Sequence, residues 1–138
     1  MNRSDSQKLA VLRLGEARIL LQHGKYHGAY YLADYAVECA LKACLAKRTK
    51  KFDFPLEPSV VRDCYTHSFK ELLKVAELTS QKESDNKANP RLEANWAIAN
   101  QWKETRRYGL STKREATDLL DAIADEPDGV LPWIKRHW

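Results

Sequence analysis

Three sets of residues in this 138-residue chain have types and spacings suited to chemistry. Glu38 and Lys42 stand four apart with the carboxylate first, the order that favours pairing along one helical face. One reading is a solvated pair worth about 0.3–0.5 kcal/mol. The other comes from its neighbours: Ala36, Val37, Cys39, Ala40 and Leu41 flank Glu38, while Tyr31 and Tyr35 continue its row. A carboxylate partly buried among them needs a partner, and Arg106 or Arg107 would suit. His67, just before a run with helical spacing, is either a local hydrogen-bonding group that fixes a helix start or a general acid/base. Arg106-Arg107-Tyr108 precedes Gly109. It reads as the basic cap of a helix C-terminus, or as a phosphate-recognition element in which arginine forks match phosphate oxygens and Tyr108 stacks on a base. No Ser/His/Asp arrangement, glycine-rich phosphate loop or metal triad can be assembled from the rest, so neither metal nor cofactor is expected.

The elements that position these residues emerge from composition and periodicity. Hydrophobic residues make up 43% and charged residues 30% of the chain, with a mean hydropathy of -0.60; a single domain over residues 1–138 can bury a core. Five Gly and five Pro are too few for a sandwich or barrel with many tight turns. Charge interrupts every apolar stretch, so no membrane span is expected. The start, Met-Asn-Arg-Ser-Asp-Ser-Gln-Lys, has no apolar core, which points to a cytoplasmic address. Cys39, Cys44 and Cys64 are odd in number and lack a Cys-x-x-Cys pair, which argues against a disulfide framework or a zinc site. The net charge of +4 permits an anionic partner.

Ser4-x-x-Gln7 has the form of a capping box, and Leu9, Leu12, Ile19 and Leu20 recur at helical spacing up to Gly24. A second helix is predicted from Tyr26 to about Lys47. Ala29, Ala33, Ala36, Ala40 and Cys44 give it a stripe of small side chains that lets neighbours approach closely, so it should be the central element. The short link predicts an antiparallel hairpin of helices one and two. Residues 52–64 hold Pro55 and Pro58 and read as a loop. Ser68-x-x-Glu71 then opens a third helix with Phe69, Leu72, Leu73 and Ala76 inward. Thr79–Asn89 is polar without periodicity and reads as an exposed connection. Asn89-Pro90 begins a fourth helix carrying Leu92, Trp96, Ala99, Trp102 and Arg106, and Thr112-x-x-Glu115 begins a fifth with Ala116, Leu119, Leu120 and Ile123 inward. Pro127 and Pro132 should kink or split the helical period that continues through Val130, Leu131 and Ile134. The fold class is all-α, a compact bundle of about five helices.

The run from Gly24 to Ala43, with its Tyr30-Tyr31-Leu32-Ala33 and Ala36-Val37-Glu38-Cys39-Ala40-Leu41-Lys42-Ala43 segments, resembles HEPN-domain proteins. Thr66-His67-Ser68-Phe69-Lys70-Glu71-Leu72-Leu73 resembles that family's histidine-containing approach to helix three, and Arg107-Tyr108 its arginine–tyrosine pair after helix four. The resemblance covers about residues 9–136. It implies a helical bundle that dimerises through helix faces and works in toxin–antitoxin or antiviral systems, often beside a small nucleotidyltransferase. Many such proteins are metal-independent ribonucleases, and others are RNA- or nucleotide-binding forms without activity. In active forms an Arg followed four to six residues later by His forms the site at a dimer cleft. No histidine lies between Arg106 and Arg114, so that motif is missing after helix four. Arg18–His23 and Arg62–His67 have the spacing elsewhere, the first within helix one on different faces and the second ahead of helix three. The resemblance therefore implies an RNA- or nucleotide-binding homodimer, with Arg106, Arg107 and Tyr108 on phosphate and base, Lys42 in the same site and Glu38 orienting an arginine. A ribonuclease using Arg62 and His67, and a non-catalytic dimerisation module, are its alternatives.

Overall fold

The computed structural model describes residues 2–51, 66–101 and 110–138. Seven helices and no strands occur among them: α1 (Arg3–Gln22), α2 (Tyr26–Lys51), α3 (Phe69–Val75), α4 (Thr79–Ala88), α5 (Pro90–Ala99), α6 (Lys113–Ala124) and α7 (Val130–Lys135). The all-α expectation holds, with two more helices than the five that periodicity predicts. Residues 52–64, expected to form a loop, together with Trp102, Arg106, Arg107, Tyr108 and Gly109, lie outside the described residues.

α1 starts earlier than expected. Asn2, not Ser4, is the cap: its side chain accepts the Asp5 amide at 2.9 Å, and the Asp5 carboxylate accepts the Asn2 amide at 3.2 Å. Its buried face also differs. Ser6, Ala10, Leu14 and Ala17 are buried and Leu9 and Leu20 partly so, whereas Leu12 and Ile19 are more than half exposed. Small residues occupy the line of closest approach and displace the larger aliphatic ones to its flanks, which a count of apolar spacing does not reveal. At Gly24 the backbone takes a left-handed φ of 73°, a conformation glycine adopts without steric cost, and the chain turns directly into α2. The two helices form the predicted hairpin and pack along their length.

α2 extends to Lys51, four residues beyond the predicted end and about 39 Å in all. Ala29, Ala33, Ala36 and Ala40 are fully buried and Cys44 nearly so. The helix packs against α1, α3, α6 and α7, which makes it the central element that its small side chains predict. The stripe is thus filled by the chain's own helices, and Ala33 and Ala36 are not available as an assembly surface.

The polar segment read as a connection is a helix. α4 buries none of its residues, so it carries no apolar period to detect. It is held from outside: the Trp133 indole N–H donates to Asp85 at 2.8 Å, and the Lys82 ammonium lies 4.9 Å from the Trp96 ring centre. Trp96 and Trp133 in turn meet edge to face at 5.6 Å, joining α5 to α7 in the core.

α5 begins as predicted, with Asn89 capping the Leu92 amide and Pro90 in the first turn. α6 begins with the Thr112–Glu115 capping box and buries Ala116, Leu119, Leu120, Ala122 and Ile123. Pro127 lies in the turn between α6 and α7, and Pro132 falls in the first turn of α7, where a missing N–H is tolerated. Gly129 at that turn is required by space: a Cβ there would meet the Asp125 carbonyl oxygen at 2.4 Å. Among the described residues no helix is long and apolar enough to cross a membrane.

Candidate functional site

Glu38 is presented by the middle of α2, one turn after the equally buried Asp34 and among the buried Ala36, Val37, Cys39, Ala40 and Leu41. Its side chain is 5% exposed, so its carboxylate must be satisfied within the protein. Two groups do this at a single oxygen. The Lys42 ammonium donates to Oε1 at 2.8 Å from one turn along the helix. His67 Nδ1 lies 2.9 Å from the same atom, reaching in from the residue before the α3 cap, Ser68. A carboxylate that also receives an ammonium offers the imidazole only acceptors, so Nδ1 carries the hydrogen. Nε2 is then left as the ring atom facing outward chemistry. The pairing is asymmetric: Glu38 is buried while His67 is 52% exposed, so a fixed carboxylate anchors a ring that solvent and ligands can reach.

The same helix face continues beside the cluster. Tyr35 lies one turn before Cys39 on the same helix. Burial pushes both groups up from their ordinary pKa values. The Arg13 guanidinium lies 6.0 Å from the Tyr35 ring centre while pairing with Glu16. Deeper in the core, burial pushes the Cys44 thiol up to about 12, so it packs as a small apolar group.

On the other side of His67 opens a cleft of about 790 Å³. The α3 approach contributes Thr66, His67, Ser68 and Lys70, α4 contributes Thr79, Lys82 and Glu83, and Ala99 and Asn100 close the α5 end. Volumes of roughly 300–1,000 Å³ are those of sites for small molecules. Hydroxyls, a carboxamide, an imidazole and two ammonium groups face one carboxylate, a set suited to an anionic, hydrogen-bonding ligand.

Of the residues singled out from sequence, Glu38, Lys42 and His67 are thus brought together, although they come from α2 and the start of α3. Among the described residues Glu38 holds a lysine and a histidine; Arg62, Arg106, Arg107 and Tyr108 lie outside them. Sequence reading missed Lys70, Lys82 and Asn100. Lys82 stands on the segment read as a connection, and no apolar period marked that segment as a helix.

A shallower groove of about 510 Å³ lies between α5 and α6, lined by Arg91, Asn95, Asp118, Asp121 and Asp125 among others. The Arg91 guanidinium binds both Asp125 oxygens there, and holds that carboxyl below its usual range. These contacts clamp two helices together.

The model of the HEPN domain matches residues 7–125, and the chain belongs to that family. The search of curated proteins found no match, nor did the search of solved structures.

Proposed function

We propose that this HEPN protein binds the phosphate groups of RNA or of a nucleotide at the face where Glu38, Lys42 and His67 meet. The observation that carries this reading is the buried Glu38 carboxylate with a lysine at 2.8 Å and a histidine at 2.9 Å on the same oxygen. It orients two cationic or proton-bearing groups, of which His67 lines the polar cleft. Arg106, Arg107 and Tyr108 supply further phosphate and base contacts in this reading, coming next in sequence after the α5 wall of the cleft. The protein acts as a homodimer in the cytoplasm, and its partner is a nucleotidyltransferase of a toxin–antitoxin or defence system. The exposed Val11, Leu12 and Ile19 of α1 support association with another surface.

A second reading, metal-independent RNA cleavage, draws on the His67–Glu38 contact in particular. His67 Nε2 takes the proton of a ribose 2′-hydroxyl, the 2′ oxygen bonds to phosphorus and the P–O5′ bond breaks. The leaving oxygen takes a proton from the imidazolium, which leaves a 2′,3′-cyclic phosphate. Glu38 stabilises the charged ring, and Arg62 holds the phosphate.

Filter binding of single-stranded RNA and of ATP tests the first reading. Wild type binds at least one of them with an affinity that falls as salt rises, while His67→Ala and Arg107→Ala each weaken it about tenfold. Equal affinity for wild type and both variants overturns it. Cleavage of the RNA in EDTA, abolished by His67→Ala, is the outcome of the second.

A further inference from the structure

We propose that Lys82 is the phosphate-seating cation of the cleft, so that a phosphate-bearing ligand reaching His67 extends along α3 and ends on α4. This rests on the anionic-ligand reading above and adds to it the residue and wall that receive the charge.

Lys82 and His67 line one continuous cavity of about 790 Å³, with Ser68 and Thr79 hydroxyls and the Asn100 carboxamide in the same lining. Among the described residues no carboxylate lies within ion-pair distance of the Lys82 ammonium; it rests on the Trp96 ring at 4.9 Å. The one acidic group of the lining among the described residues is its chain neighbour Glu83, which only partly offsets the partial burial that lowers the Lys82 pKa. A lysine pairs with carboxylate wherever burial must be compensated inside the protein, as Lys42 does with Glu38. Lys82 instead has an aromatic face behind it and a polar cavity in front. An ammonium so placed keeps its three donors for an anion that enters the cavity. Phosphate fits best among anions: it has several acceptor oxygens for the ammonium and for the hydroxyls beside it. It also leaves the attached sugar and base to fill the cavity towards Asn100 and His67.

The shared chemistry is a phosphoryl anion, and two sources are separated by two probes, AMP for a phosphomonoester and an RNA pentamer without terminal phosphates for phosphodiesters. Each is titrated into protein carrying ¹³C-labelled lysine. The Lys82 ε resonances shift with at least one probe, and the Lys82 pKa rises in its presence, because an anion restores what burial removes. Lys82→Gln weakens that probe about tenfold or more and Lys82→Arg keeps most of the affinity. Lys74→Gln, on α3 outside the cleft, binds as wild type does. Thermal melts of both Lys82 variants show whether loss of the Trp96 contact has disturbed the fold, and the Arg variant retains that contact. Binding by Lys82→Gln within twofold of wild type, with unmoved Lys82 resonances, overturns the proposal. If His67→Ala has lost binding in that same experiment, the broader reading survives without it. No binding of either probe by wild type removes both.

Discussion

Replacing Ala36 by leucine should destabilise the fold itself, and by a predictable amount. Ala36 is fully buried on α2, in line with Ala29, Ala33 and Ala40, where α2 meets its neighbours. Leucine adds three carbons at a place that its neighbours already cover completely. Overpacking of a close-packed interior costs about 1–3 kcal/mol. With an unfolding entropy of about 2.1 cal/mol/K per residue, and hence about 0.29 kcal/mol/K for 138 residues, a cost of about 2 kcal/mol lowers Tm by roughly 7 °C. Circular dichroism melts at low and high protein concentration are the assay. The expected drop is the same at both, because the stripe is filled from within the chain. Lys74→Gln, exposed on α3, serves as the contrast and should change stability by no more than about 0.5 kcal/mol. An Ala36→Leu protein that melts like wild type, or whose loss appears only on dilution, would refute the reasoning, since the stripe would then lie between molecules.

Gly129→Ala should destabilise by about 1–3 kcal/mol, because its Cβ meets backbone atoms at 2.4–2.7 Å that cannot turn aside; chemical denaturation measures it. Asp85 gives a pH signature with a definite sign. The Trp133 indole N–H holds its carboxyl below the ordinary 3.8, so the contact contributes stability above that pH and loses it as pH falls through the lower folded value. Asp85→Asn should therefore lower stability most at neutral pH and flatten the acid limb of the stability profile, the two proteins converging as pH falls below the lower folded value, and equal acid limbs would contradict this.

How much was legible in the sequence depended on what kind of residue carried the signal. The alanine row of α2 announced a central helix because small side chains at helical spacing have one common use, close approach. Caps were readable where an accepting side chain and the amide that donates to it lie three apart, as at Ser68, Asn89 and Thr112. The same logic failed at α1, where Asn2–Asp5 and Ser4–Gln7 overlap and only geometry chooses between them. α4 escaped notice because its fixing contacts, Asp85 to Trp133 and Lys82 to Trp96, join residues distant in sequence. In the candidate site, Glu38 and Lys42 were visible as a pair, and the apolar neighbours of Glu38 indicated its burial. That His67 shares its oxygen was not readable, since it requires the start of α3 to return to the middle of α2. Lys82 joined the cleft by the same route.

The central claim is that ligand phosphate is received where Glu38 holds His67 and Lys42. Imidazole ¹H–¹⁵N spectra recorded while single-stranded RNA is titrated into wild type and Glu38→Gln address it most directly. The His67 ring signals of wild type should be among those that move most. In Glu38→Gln the Nδ1 proton signal should be lost to exchange, and the RNA should bind about tenfold more weakly. A His67 ring that stays unmoved while signals from the α5–α6 groove respond, with Glu38→Gln binding as wild type does, would contradict it.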